Sequence, residues 1–268
     1  MIAAPAGEAG SFDVGTAGSI TIEAVSRAYE VKSGSVLALE NVSFRVGAGQ
    51  FVVLIGPSGC GKSTLLHCIG GFIPPTSGRI LLDGAEIRTP GPDRGIVFQR
   101  ESLFPWMTIE GNLKTALRPK RIVGAEADRL CTEYLGAVGL SGFGGAYPHQ
   151  LSGGMQQRAA IARTLIYQPS VLLLDEPLGA LDAQTRELMK EWVLDIWLRE
   201  RKTVVYVTHD LDEAVFLGQK VIVLTNRPGR VKFAVDIALA YPRDRRDPHY
   251  EEVREQLWQG IREEVRFA

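Results

Sequence analysis

Gly56-Pro57-Ser58-Gly59-Cys60-Gly61-Lys62-Ser63-Thr64 sets three glycines ahead of a lysine and two hydroxyls. Glycines let backbone N–H groups approach phosphate oxygens closely, and a helix starting at the lysine would add its dipole to the attraction. Lys62 would neutralise the β- and γ-phosphates of a nucleoside triphosphate. Ser63 would offer its hydroxyl to Mg²⁺, and Thr64 would add a phosphate contact. Binding and hydrolysis of ATP is the chemistry this spacing suits.

Further along, Val171-Leu172-Leu173-Leu174 runs straight into Asp175-Glu176. Two carboxylates at the end of a buried strand stand where α/β sheets gather their ligands. Asp175 is placed to hold the hydration shell of Mg²⁺, and Glu176 to polarise the attacking water. Thr203-Val204-Val205-Tyr206-Val207 delivers Thr208 and His209 to the same edge, which puts His209 near the γ-phosphate.

Ser152-Gly153-Gly154 before a second helix is another turn suited to an anion, or else a plain helix cap. One nucleotide does not need both loops. A two-fold dimer, in which each chain's second loop covers the triphosphate on the other chain's first loop, uses both.

The elements that must position these groups are legible in outline. Short β-branched runs between Ile20 and Val46 suggest an antiparallel sheet, and turn signals flanking Arg79-Ile80-Leu81-Leu82 suggest another strand pair. Phe51–Ile55 is continuously apolar, as a strand buried on both faces should be, and Lys62–Ile69 reads as a helix. From about residue 100 to 150, helical segments broken by prolines and glycines suggest an inserted helical subdomain. Alternation then returns: helix Met155–Ile166, strand Val171–Leu174, helix Gln184–Arg199, strand Thr203–Val207, then strands at Val221–Leu224 and Val231–Ile237. The expected fold is α/β, a P-loop NTPase core with a mainly parallel sheet, an antiparallel β subdomain and the helical insertion. Three segments follow: a disordered leader over 1–19, an ATPase domain over 20–240, and a charged helical extension over 241–268. In that last helix Val253, Leu257, Trp258, Ile261 and Val265 form an apolar stripe expected to pack on the domain or, alternatively, to dock on a partner.

Composition narrows the choice of partners. With 30 basic against 31 acidic residues the net charge is −1, so there is no electrostatic footprint for nucleic acid. Hydrophobic residues make up 45% of the chain, enough for a core, yet no run approaches the roughly 18 apolar residues of a membrane span. Cys60, Cys68 and Cys131 lack metal-ligand spacing and fit a reducing, cytosolic setting.

Taken together, the motifs from Ile20 to Val235 resemble the ATP-binding subunit of an ABC transporter. The resemblance makes Gly56 to Thr64 the Walker A loop, Leu172 to Glu176 the Walker B strand and base, Leu151 to Met155 the signature, and Leu178 to Asp182 the D-loop. It implies that Tyr29 stacks on adenine, and that Gln99 helps coordinate Mg²⁺ and senses a membrane partner. It further implies that His209 is the switch histidine, and that Ser152, Gly153, Gly154 and Asp182 serve the ATP of the opposite protomer. Met155 stands where glutamine is usual, and Gly179 where serine is frequent. Both variants are similar to those of the taurine, alkanesulfonate and nitrate importers, as is Asn226-Arg227-Pro228-Gly229-Arg230.

What the resemblance implies is an ATPase that energises import of a small solute, an anion such as a sulfonate, taurine or nitrate. ATP and Mg²⁺ would be its ligands. A second copy and transmembrane permease subunits would be its partners, with an extracytoplasmic solute-binding protein acting indirectly. It would sit peripherally on the cytoplasmic face of the inner membrane. Phe104-Pro105-Trp106 would dock a short permease helix or, alternatively, fill the subdomain core. Export, and action on a macromolecule such as DNA or the ribosome, are the competing readings. The latter usually brings tandem ATPase domains, coiled-coil insertions or basic extensions, none of which is visible in the sequence.

Overall fold

The computed structural model describes residues 18–32, 34–99, 103–179 and 181–264. The first 17 residues of the expected leader, the opening of the insertion at 100–102, and Val265 of the apolar stripe lie outside the described residues. Gly18 is buried, and its carbonyl accepts the Thr203 hydroxyl at 2.7 Å.

Strands β1 (Ile20–Val31) and β2 (Gly34–Val46) form a long antiparallel pair; β3 (Phe51–Ile55) and helix α1 (Lys62–Ile69) follow. Strands β4 (Ser77–Leu82) and β5 (Ala85–Glu86) complete a four-stranded antiparallel sheet in the order β2-β1-β4-β5. After β6 (Arg94–Val97) come α2 (Ile109–Leu117), α3 (Gly124–Ala137) and α4 (Gly153–Leu165). Strand β7 (Val171–Asp175), helix α5 (Ala183–Glu200), strand β8 (Thr203–Val207), helix α6 (Leu211–Leu217) and strand β9 (Lys220–Leu224) restore the α/β alternation. The described chain finishes with β10 (Val231–Asp236) and α7 (Pro248–Arg262).

The second sheet runs β10-β9-β3-β8-β7-β6, parallel throughout except for the antiparallel edge strand β10. Strands β3, β7 and β8 read as apolar runs because both faces are covered and neighbouring side chains point oppositely. Phe51, Val53 and Ile55 of β3 join one core with Leu172, Leu174, Val204, Tyr206 and the helices α2 to α5. Val52 and Leu54 join another with Val205, Val207, Leu65, Leu66 and the antiparallel sheet. Burying each such side chain is worth about 1.5–3 kcal/mol, so the sheet is anchored from both sides.

Parallel pairing has a functional consequence. Leu54 pairs with Val207, Asp175 with Val207, and Val97 with Leu174, so the carboxyl ends of β3, β6, β7 and β8 reach one edge together.

In the insertion, Thr108 caps α2 by accepting from Gly111 N, and the buried Asn112 binds the loop before it. The Asn112 side chain accepts from Phe104 N at 2.7 Å and donates to the carbonyls of Phe104, Met107 and Thr108. The loop is therefore held in one shape, with Trp106 69% and Phe104 37% exposed. That exposure disposes of the expectation that Trp106 fills the subdomain core.

The chain after β10 wraps helix α6. Tyr241 donates its hydroxyl to Leu217 O, the buried Arg243 reaches the carbonyls of Val215 and Gly218, and Tyr250 donates to Asp212 O. Of the predicted stripe on α7, Leu257 is buried and Val253 and Ile261 are half-buried against the core, but Trp258 is exposed. At 3.6 residues per turn, Trp258 follows Leu257 by about 100° and turns away from the face that packs.

Candidate nucleotide site

Gly61, at φ 105, begins helix α1, and Lys62 occupies the first helical position. A Cβ at Gly61 would lie 2.7 Å from Leu39 Cδ2 and 2.9 Å from Ala38 O, so only glycine lets the loop pass that close to β2. Lys62 is 6% exposed, and its ammonium donates to Gly56 O at 2.8 Å and Pro57 O at 3.0 Å. Cys60 is buried beneath the loop, and burial raises its thiol pKa, so it acts there as a small apolar filler.

At the end of β7, Asp175 is 4% exposed and accepts the Ser63 hydroxyl at 3.0 Å. Burial raises the pKa of its carboxyl, with the Ser63 hydrogen bond pulling the other way. His67 Nε2 stands 4.0 Å from Asp175 Oδ2 and is buried with no hydrogen-bond partner. Ser63 and Asp175 thus bring hard oxygen atoms together at the loop, and Gln99 contributes an amide nearby. This is the donor chemistry that Mg²⁺ takes when substrate phosphates and water complete its shell, so the residues present fit the ion.

Glu176 follows in the left-handed region, at φ 45. Non-glycine residues rarely adopt that conformation, and it concentrates where function requires it. Its amide donates to Val207 O at 3.0 Å, tying the turn to β8. Gln99 Nε2 donates to Glu176 Oε2 at 3.0 Å, and His209 Nδ1 lies 3.3 Å from the same oxygen. Three strand ends therefore converge on one carboxylate. The turn carrying His209 is braced from below: Thr208 and Tyr206 both donate hydroxyls to the buried Glu213, at 2.7 and 2.9 Å.

Gln99, Glu176 and His209 line a cavity of about 480 Å³ together with Ser58, Gly59, Gly61, Lys62, Ser63 and Thr64. Tyr29 lines it too, its hydroxyl 3.4 Å from Thr64 Oγ1 and its ring 4.7 Å from the Arg27 guanidinium. Val36, Ala38 and Arg227 complete the wall, and no motif in the sequence points to any of them as a neighbour of the nucleotide.

The second predicted loop lies elsewhere. Ser152 caps α4 by accepting from Met155 N at 3.4 Å, and Asp182 caps α5 by accepting from Thr185 N at 3.0 Å. Both line a separate hollow of about 370 Å³ with Gly153, Gly154, Met155, Arg158 and Leu181. Within one chain, the lysine-bearing loop and the Ser-Gly-Gly turn do not share a cavity.

A model of the ABC transporter family matches residues 39–179, more than half of the chain. The chain belongs to the ABC transporter family. Among its relatives, the nitrate import ATP-binding protein NrtD of Synechocystis is 48% identical over 85% of both chains. An uncharacterised ABC transporter ATP-binding protein of Methanocaldococcus jannaschii is 47% identical over 92% of both. The aliphatic sulfonates import ATP-binding protein SsuB of Bacillus cereus is 41% identical over 90% of this chain and 95% of its own. Two solved structures of a bacterial ABC cassette superpose over 81% of this chain and 98% of theirs. One, a dimer, gives a TM-score of 0.75 at 35% identity; the other, in a post-hydrolysis state bound to ADP and Pi, gives 0.73 at 33%. The chain is an ABC ATPase, built on the P-loop α/β core that the motifs imply. Among the described residues, no helix of this ABC ATPase is long and apolar enough to cross a membrane.

Proposed function

We propose that this ABC ATPase energises a membrane importer for a small solute, with an anion of the nitrate, sulfonate or taurine kind as cargo. The observation that carries the reading is the separation of the two anion-ready turns, each in its own cavity. Each chain then holds two half-sites, and a second copy completes them. The dimeric cassette superposes well on this chain, and import proteins for nitrate and sulfonates are similar to it over most of its length.

In the closed pair, Gly56 to Thr64 wrap the phosphates, Lys62 neutralises the β- and γ-oxygens, and Tyr29 stacks on the adenine. Ser63, Asp175 and Gln99 would hold Mg²⁺, which would supply positive charge to offset that of the phosphates. Glu176 accepts a proton from the attacking water, and His209 steadies its carboxylate and faces the γ-phosphate. Ser152, Gly153, Gly154 and Asp182 close over the ATP of the opposite protomer. The water's oxygen bonds to the γ-phosphorus as the bond to the ADP oxygen breaks, leaving ADP and inorganic phosphate. Closing and reopening pull on permease subunits that the chain meets from the cytoplasmic face, with Phe104 and Trp106 as apolar anchors. An extracytoplasmic binding protein supplies the cargo.

Steady-state ATP turnover at increasing concentrations of the purified chain tests the reading. Specific activity that climbs with protein concentration, yielding ADP and phosphate and no phosphorylated acceptor, is expected of a site shared between two copies. Specific activity independent of dilution in a demonstrably monomeric chain would contradict it.

A further inference from the structure

We infer that Arg227 is a positioning residue of the phosphate loop, presetting its shape for the polyphosphate chain; the inference rests on the ATP-binding reading above. Its guanidinium donates to the Gly59 carbonyl through both Nε, at 3.1 Å, and Nη2, at 2.9 Å, and it lines the nucleotide cavity. Gly59, at φ 76, has no side chain with which to fix its own conformation. The peptide plane is rigid, so holding the Gly59 carbonyl also fixes the Cys60 N–H on its opposite edge, which donates to Pro57 O at 3.3 Å and closes the turn of the loop. A loop ordered beforehand loses less entropy when the nucleotide binds.

The segment that carries Arg227 is built to hold it there. Gly229 N donates to Ala38 O and Glu40 N to Gly229 O, joining the segment to β2. A Cβ at Gly229 would come within 2.2 Å of Cys60 O, so the backbone of this segment rests on the backbone of the phosphate loop. Thr225 Oγ1 donates to Pro228 O and accepts from Arg230 N, closing the turn, and Asn226 Oδ1 accepts from Arg227 N. Arg230, on the same segment, pairs with Glu40 of β2 and does not line the cavity.

The test is equilibrium titration of the full chain and its R227A, R227K and R230A variants with Mg·ATP and with Mg·ADP, alongside steady-state kinetics and thermal melting. R227A should weaken both nucleotides in parallel by about fivefold, the worth of roughly one net hydrogen-bonded contact, and should raise KM more than it lowers kcat. R227K should recover part of the loss, because one ammonium cannot reproduce a two-nitrogen fork. R230A should bind as the wild type does. Wild-type affinity in R227A would overturn the inference, as would R230A losing as much affinity as R227A. Failure of the wild-type chain to bind ATP at all would instead overturn the reading on which the inference rests.

Discussion

Nδ1 of His209 lies 3.3 Å from Oε2 of Glu176, joining the end of β8 to the end of β7. Glu176 holds its place with a left-handed backbone, and Gln99 from the end of β6 donates to the same oxygen. One carboxylate thus senses three strands. A shift in any of them alters the setting of the carboxylate to which the proposed cycle gives the attacking water.

His209→Ala should therefore lower ATP turnover by about a hundredfold, the scale of a lost proton-transfer or positioning group, with nucleotide affinity little changed. A phosphate-release assay and a binding titration on the same preparation separate the two effects.

Lys62→Ala removes the buried ammonium that now caps Gly56 O and Pro57 O. Loss of a charge-assisted contact should weaken ATP binding by at least about tenfold, which calorimetry reads directly. Undiminished affinity would show that the loop's amides suffice.

Much of this site is legible in the sequence, because its residues sit on elements with strong local signatures. Strands β3, β7 and β8 are apolar on both faces, and the residues at or just past their ends are Gly56, Asp175, Glu176, Thr208 and His209. Strand β6 has no such signature. It is four residues long, and its Gly95 exists for packing: a Cβ there would lie 2.5 Å from Thr164 Cγ2. The importer-like segment Asn226 to Arg230 marks Arg227, but no local pattern ties it to the phosphate loop, since it reaches Gly59 across 168 residues of sequence. Trp258 departs from the expected stripe because an apolar residue beside a stripe is indistinguishable, by pattern, from one within it.

Glu213 offers a test by pH. Burial raises its pKa, opposed by the Thr208 and Tyr206 hydroxyls; Asp210 also raises it and Lys190 lowers it. A carboxyl raised on folding contributes stability that is complete below its unfolded value, about 4.3, and is lost as pH climbs through the folded one. Glu213→Gln has no charge to bury, so its melting temperature relative to wild type should rise between acid and neutral pH. A relative stability that falls with pH would mean the carboxylate is favoured by folding.

Trp106 stands exposed on a loop pinned by Asn112, with its ring 5.6 Å from that of Phe104. Trp106→Ala should cost about 2 kcal/mol of permease binding, roughly thirtyfold, while sparing ATP affinity. Co-purification with the permease at wild-type yield would count against an anchoring role.

In the proposed cycle ATP closes two copies of this chain, and Glu176 then opens the way back by hydrolysis. Sedimentation of Glu176→Gln with and without Mg·ATP, paired with its turnover rate, addresses both halves at once. The expected outcome is a dimer that forms only with ATP and turnover reduced by about a hundredfold or more. A monomer in ATP, or hydrolysis at the wild-type rate, would refute the cycle.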